Sequence, residues 1–117
     1  MTLDHFREYC LSFKCTTEEM PFDENTLVFK VLGKMFALTN LENFEHTNLK
    51  CNPEKSMVLR ENHMEVSPAW HMNKKHWNSV SFEGDLSDKQ IEQWIEDSYN
   101  LVVKNMPKKL QLELEKL

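Results

Sequence analysis

The densest group of chemically capable side chains in this sequence is a run of eight residues in which two adjacent lysines have polar and aromatic neighbours. The run is Trp70, His71, Met72, Asn73, Lys74, Lys75, His76 and Trp77. Lysines at a hairpin tip with aromatic neighbours suit contacts to backbone phosphates and stacked bases. The same pattern also suits a structural turn with soluble lysines, a turn-forming Asn73 in the left-handed conformation and a core Trp77. The residues alone leave both interpretations open.

A second pair of lysines, Lys30 and Lys34, flanks another predicted hairpin. Two basic hairpins could act together as wings on a nucleic acid, with the lysines neutralising phosphates. The candidate nucleic-acid contacts are therefore Lys30, Lys34, His71, Asn73, Lys74, Lys75 and His76.

Catalytic and metal chemistry are poorly represented. His71 and His76, with His63 and Cys51, invite a zinc interpretation, but two histidines five apart across a hairpin tend to face opposite ways. No Cys-x-x-Cys or His-Glu-x-x-His motif supports them, and Cys51 falls on a predicted core strand. Two glycines cannot build a phosphate-binding loop. We therefore predict no enzyme activity, no catalytic residues, no metal and no cofactor.

Charge is unevenly distributed along the chain. The net charge of −5 disfavours a protein wholly wrapped in nucleic acid. Residues 1–45 carry −4 and residues 78–117 carry −3, whereas residues 46–77 carry +2 and hold four of the five histidines. A local anion-binding surface is compatible with this distribution.

Length and composition indicate one domain spanning residues 1–117, large enough to bury a core without disulfides. No apolar run is long enough for a membrane span, and the N-terminus lacks the pattern of a secretory signal. Three cysteines without a close pair suit a reducing compartment. We expect a cytoplasmic protein without a membrane partner. A monomer is the simplest expectation for its oligomeric state.

The first element predicted is a helix. Thr2 is its N-cap, and its apolar stripe includes Phe6 and Cys10. Strands are predicted over 27–32 and 35–39, joined by a turn at Gly33-Lys34. That turn pairs Val31 with Phe36 and Phe29 with Leu38 on the core face, and Lys30 with Ala37 on the other. A third strand is expected over 47–51.

Asn52 and Pro53 predict a surface helix that runs to about residue 62. An edge strand over 66–71, limited by Pro68, and a strand over 77–82 follow. Ser87 caps the strongest helix, on which Trp94 is predicted to face the core with Ile91, Ile95 and Leu101. Leu110, Leu114 and Leu117 indicate a last helical turn or two.

The predicted fold class is α+β, with the element order α-β-β-β-α-β-β-α. Hairpin connections demand antiparallel pairing, and amphipathic strands favour a two-layer sandwich with helices on one face of the sheet. The other face is then open to a partner.

Several segments resemble the MmcQ/YjbR family, described as predicted DNA-binding proteins with a double-wing motif. The resemblance is nearly full length and rests on residues 21–22, 26–31, 33–38, 48–51, 53–54, 71–78 and 98–99. The run His71-Met72-Asn73-Lys74-Lys75-His76-Trp77 is its most specific part. The resemblance implies an antiparallel sheet with helices on one side, similar to secretion chaperones and frataxin-like domains, and a role in DNA binding.

Two functions follow as hypotheses. The first is a non-enzymatic DNA-binding module that uses two hairpin wings. The alternative is a chaperone-like module that receives a protein or peptide on the open sheet face or on the thinly covered second helix. Fold alone does not choose between them.

Overall fold

The computed structural model describes residues 1–69 and 72–117. Its helices are α1 (Leu3–Leu11), α2 (Pro53–Asn62), α3 (Asp88–Lys104) and α4 (Lys108–Glu115). Its strands are β1 (Thr16–Glu19), β2 (Thr26–Val31), β3 (Lys34–Asn40), β4 (His46–Lys50), β5 (Val66–Pro68) and β6 (Trp77–Ser81). None of the helices in the described part of the chain is long and apolar enough to cross a membrane.

The strands form one sheet in the order β1-β2-β3-β4-β6-β5, and every neighbouring pair is antiparallel. This confirms the predicted α+β class and the antiparallel sheet. Edge strand β5 carries Pro68, which cannot donate a ladder hydrogen bond and is tolerated there. The other edge strand, β1, was not predicted, because Thr16–Glu19 has no apolar alternation to reveal it.

The turn between β2 and β3 differs from the prediction by one residue. It is formed by Leu32 and Gly33, both with positive φ (46° and 82°), as a two-residue mirror-type turn requires. Val31 consequently pairs with Lys34, and Phe29 pairs with Ala37 instead of Leu38.

A bulge follows the turn and alters which β3 residues face the core. The register shifts between Phe29 and Lys30, so that Phe36 is the extra residue on β3. Phe36 and Ala37 are both fully buried in the core. The predicted core position of Leu38 is therefore wrong, and Leu38 lies half-buried on the open face.

The third predicted strand is confirmed up to residue 50. Thr47 and Leu49 are buried on β4, but Cys51 lies just beyond the strand and is half-buried. Asn52 caps α2 at this point by accepting a hydrogen bond from the Glu54 N–H (2.9 Å), which ends the strand and starts the helix.

Three helix starts match their predicted caps. Thr2 accepts from the His5 N–H at 3.1 Å, Asn52 caps α2, and Ser87 accepts from the Gln90 N–H at 3.1 Å. These local hydrogen bonds are encoded by a few neighbouring residues, which is why the sequence predicts them well.

The core lies between the sheet and the helices on one face. α3 contributes Ile91, Trp94 and Ile95, all at most 7% exposed, and α1 contributes Phe6, which is fully buried. The predicted burial of Trp94 is confirmed. The last helix, predicted from Leu110, Leu114 and Leu117, is present as α4, and Leu114 packs in the same core.

A buried serine ties α3 to two strands. The Ser98 hydroxyl donates to the Phe36 carbonyl (2.5 Å) and accepts from the Lys50 N–H (2.8 Å). Because Lys50 is the last residue of β4, this contact positions the end of the sheet on which the candidate site lies.

Candidate nucleic-acid interface and open-face cleft

Both predicted wings lie at the same end of the sheet. Val31 pairs with Lys34 at the β2–β3 turn, and Lys50 pairs with Trp77 at the start of β6. The β5–β6 connection leaves from Pro68, which pairs with Asn78 beside Trp77. The two wings are thus separated only by the end of β4.

The junction of α3 and α4 reaches this same end. Asn105, Met106 and Pro107 line a pocket of about 350 Å³ together with Lys34 and Lys50. The lysines that flank this junction therefore adjoin the two wings. We call the resulting lysine-rich region the basic end; it comprises Lys14, Lys34, Lys50, Lys74, Lys75, Lys104, Lys108 and Lys109.

The opposite end of the sheet is acidic. Four connections lie there, formed by residues 20–25, 41–45, 63–65 and 82–87. They contain no Lys or Arg and seven acidic residues: Asp23, Glu24, Glu42, Glu45, Glu65, Glu83 and Asp85. The net charge of −5 therefore conceals a separation of charge along the strands.

The second wing is held by an arginine that the sequence did not single out. Arg60, on α2, donates through Nε to Asn78 Oδ1 (2.8 Å) and through Nη2 to the backbone carbonyls of Lys74 and Trp77. A planar guanidinium can bind three acceptors at once in a fixed arrangement. The backbone of the wing is consequently anchored to α2.

Asn73 also stabilises this wing, through its side chain. Its Oδ1 accepts from the Lys75 N–H (3.0 Å), and its carbonyl accepts from the N–H groups of His76 and Trp77. Asn73 is not among the described residues with positive φ, so the left-handed conformation suggested for it is wrong. The side-chain hydrogen bond replaces that conformation as the means of forming the turn.

The remaining sequence candidates differ in their surroundings. Lys34 and Lys75 are exposed, whereas the Lys30 ammonium lies 2.7 Å from the Glu19 carboxylate. His76 is half-buried. Trp77 is only 8% exposed, so its ring is not available as a platform for stacked bases. His71 and Trp70 lie outside the described residues.

A cleft occupies the face of the sheet opposite the helices. It has a volume of about 820 Å³, and residues of β2, β3, β4 and β6 form its floor. We call it the open-face cleft; it is lined by Phe22, Asp23, Thr26, Met35, Leu38, Thr39, Asn40, His46, Asn48, Met72, Asn73 and Ser79.

Two polar side chains of this cleft have unusual surroundings. Asn48 is 8% exposed, and its Oδ1 has no hydrogen-bond partner among the described residues. At the rim, the Asp23 carboxylate accepts from the N–H groups of Asn25 (2.9 Å) and Thr26 (2.7 Å). These hydrogen bonds lower the pKa of Asp23, so the carboxylate stays ionised.

The zinc interpretation gains no support from the described residues. Among residues 1–69 and 72–117, no group of three or more His, Cys, Asp or Glu side chains is placed to hold a metal ion. His63 instead packs edge-on against Trp94, with ring centroids 5.1 Å apart. Burial raises the pKa of the Cys10 thiol far above its usual value, which makes Cys10 a poor nucleophile.

Sequence reasoning missed five lysines of the basic end: Lys14, Lys50, Lys104, Lys108 and Lys109. Lys108 and Lys109 form an adjacent pair, like Lys74 and Lys75, and that repetition was the available signal. Their proximity to the wings depends on how α3 crosses the sheet, which no local pattern reveals.

The architecture defines an open-faced antiparallel α+β sandwich with lysine-rich connections at one end of the sheet and carboxylate-rich connections at the other. The chain belongs to the YjbR family, whose model matches residues 11–101. It is 32% identical over 108 residues to "Uncharacterized protein YjbR" of Escherichia coli K12, covering 92% of each chain. It is 39% identical over 92 residues to "Uncharacterized protein YbdF" of Escherichia coli O157:H7, covering 78% of this chain and 75% of that protein.

Solved structures agree with the fold. The Deinococcus radiodurans protein DR2400, described as a DUF419 domain, superposes with a TM-score of 0.90 at 36% identity, covering 97% of this chain and 88% of that chain. A Pseudomonas syringae protein superposes with a TM-score of 0.73 at 29% identity, covering 87% and 99%. The sequence-based resemblance to the MmcQ/YjbR family is thereby confirmed.

Proposed function

We propose that this protein is a non-enzymatic DNA-binding module that contacts backbone phosphates through the basic end. The observation that carries the proposal is the position of both wings at one end of the sheet, beside Lys50 and the lysines of the α3–α4 junction. Lysines gathered on one surface are the electrostatic footprint expected of a phosphate-binding protein.

The overall negative charge is compatible with this proposal. The two ends of the sheet are separated by the length of the strands; the seven residues of β3 span about 20 Å. Charges are largely screened from one another beyond a Debye length, about 10 Å at 0.1 M salt. At this salt concentration, carboxylates at the far end of the strands therefore weaken phosphate binding little at the basic end, and their repulsion grows as the salt is lowered. Glu54, in the first turn of α2, lies close to the basic end and opposes phosphate binding there.

The surroundings of the candidates favour phosphate contacts over base recognition. Trp77 is too buried to stack, and the wing that carries Lys74 and Lys75 is anchored through its backbone by Arg60. An anchored turn loses little conformational entropy when its lysines bind. Lys30 is expected to contribute less, because Glu19 already neutralises it. Binding should therefore depend weakly on DNA sequence.

The test is a salt titration of duplex DNA binding, started at low ionic strength. Lys74→Glu combined with Lys75→Glu should weaken binding and reduce the slope of log K against log salt by about 2, since each lost phosphate contact changes the slope by about 1. The matched control is Lys89→Glu with Lys116→Glu, which makes the same change in charge outside the basic end. The control should bind as the parent does.

Three outcomes contradict the proposal or its details. A parent that binds no better than an unrelated protein of equal net charge rules out DNA binding. Equal losses in both double variants show that only the net charge matters. Full binding by the Lys74/Lys75 variant, with its melting temperature unchanged, places the interface elsewhere than the second wing.

The alternative, a protein- or peptide-binding module, is favoured by one feature of α2. Met57 and Val58 are 61% and 53% exposed, which leaves an apolar strip on this helix. This alternative replaces the DNA proposal if the parent protein fails the salt titration.

A further inference from the structure

We propose that the open-face cleft binds a small aromatic compound that is neutral or cationic and carries N–H donors. This site is distinct from the basic end, and the proposal does not depend on DNA binding.

The size and walls of the cleft suit such a ligand. Its volume of about 820 Å³ lies within the range of small-molecule sites, roughly 300–1,000 Å³. Phe22, at one side, is 63% exposed, and Met35 and Met72 contribute flexible thioethers. Thioethers make favourable contacts with aromatic rings and adapt to their shape.

The floor of the cleft contains a hydrogen-bond acceptor without a partner. Among the described residues, the buried Asn48 Oδ1 has no hydrogen-bond partner, and Asn48 Nδ2 donates to the Met72 sulfur (3.4 Å). Sulfur is a weak acceptor, and the methionine chain is flexible. Displacement of Met72 by a ligand would therefore uncover a carboxamide that needs an N–H donor.

The charge of the cleft selects against anions. The Asp23 carboxylate lies at the rim and is kept ionised by the N–H groups of Asn25 and Thr26. None of the described residues that line the cleft is a lysine or an arginine, and His46 is exposed at its margin. A cationic group on the ligand would be attracted by Asp23, whereas a carboxylate would be repelled.

Three indoles of similar size provide the test: tryptamine, indole and indole-3-acetate. Titrations are followed by two-dimensional NMR of the ¹⁵N-labelled protein. We expect tryptamine to bind most tightly, indole less tightly and indole-3-acetate least, with fragment-like affinities in the millimolar range. The largest shifts should include the side-chain amide of Asn48 and the backbone amides of Asp23 and Thr26.

Variants separate the contributions. Asn48→Leu, which keeps the volume, should weaken binding of tryptamine and indole several-fold, and Asp23→Asn should abolish the preference for tryptamine over indole-3-acetate. Leu38→Trp should block the cleft sterically and provides a second readout if Asn48→Leu fails to fold. The Lys89→Glu and Lys116→Glu variant, altered at neither the cleft nor the basic end, should bind tryptamine as the parent does.

The inference is wrong if the parent shows no shifts with millimolar tryptamine, or if the shifts occur outside the cleft. It is also wrong if indole-3-acetate binds best, because the charge argument then fails. Unchanged tryptamine binding by both Asn48→Leu and Leu38→Trp would show that the cleft is not the site.

Discussion

A buried asparagine lies on each face of the sheet, on the adjacent strands β4 and β6, and the two have different surroundings. Asn78, on β6, faces the helices, and its Oδ1 accepts a charged hydrogen bond from Arg60 at 2.8 Å. Asn48, on β4, faces the cleft, and among the described residues its side chain bonds to the Met72 sulfur alone. Both side chains are at least nine-tenths buried.

The difference concerns how firmly each amide is held. A guanidinium on a helix fixes Asn78 and, with it, the backbone of the second wing. A flexible thioether holds Asn48 weakly. The helix-covered face is therefore expected to carry the stability of the protein, whereas the open face keeps a polar group available for a ligand.

The largest expected effect tests whether the helix-covered face carries the stability. Trp94 is 7% exposed in the core beside His63. Trp94→Ala should lower the free energy of unfolding by about 3–5 kcal/mol, because it leaves a large cavity. Denaturant titration measures this loss. A variant as stable as the parent would show that the core does not depend on α3 as described.

The next effect tests the anchoring of the second wing. Arg60→Met should cost about 1–3 kcal/mol of stability, because it removes the charged donor of the buried Asn78 Oδ1 and the contacts of Arg60 with the carbonyls of Lys74 and Trp77. Amide hydrogen exchange at residues 73–77 should accelerate at the same time.

The matched control for Arg60→Met is Lys55→Met on the same helix. Lys55 forms an exposed ion pair with Asp97 (3.2 Å), and its loss should cost at most about 1 kcal/mol. Equal losses of stability in the two variants, with unchanged amide exchange at residues 73–77, would show that Arg60 does not anchor the second wing. The contrast between an anchored wing and an open cleft would then be wrong.

The smallest expected effect is on the stability of the protein in acid and depends on Asp23. The N–H groups of Asn25 and Thr26 lower the pKa of Asp23 in the folded protein below its value in the unfolded chain. Its stabilising contribution is therefore present above the unfolded pKa and is lost as the pH falls through the folded pKa. Between about pH 5 and about pH 3, the melting temperature of Asp23→Asn should fall less steeply than that of the parent. Parallel curves would show that Asp23 is not held as described.

Sequence patterns predicted much of the fold because many of its determinants are local. The caps at Thr2, Asn52 and Ser87 each depend on residues within one helical turn. The apolar periodicity of α3 placed Trp94 correctly, and Pro68 indicated an edge strand. The two basic wings were also visible as lysines beside turns.

Only the tertiary structure decided which distant residues meet. The turn lies one residue earlier than predicted, which changes the pairing partners. The extra residue Phe36 in the bulge then moves Leu38 to the open face, because side chains alternate along a strand. The packing of α3 brought its end to Lys34 and Lys50.

The candidate sites were consequently predicted only in part. Lys34, Lys74 and Lys75 could be proposed from sequence alone, since their turns are local features. Lys50 and Asn48 could not be proposed in this way. Lys50 gains its neighbours from α3, and Asn48 lies in the floor of the cleft only when four strands pair. The sequence by itself determined the helices, most strands and their amphipathic faces; the long-range pairing of those elements determined the basic end and the cleft.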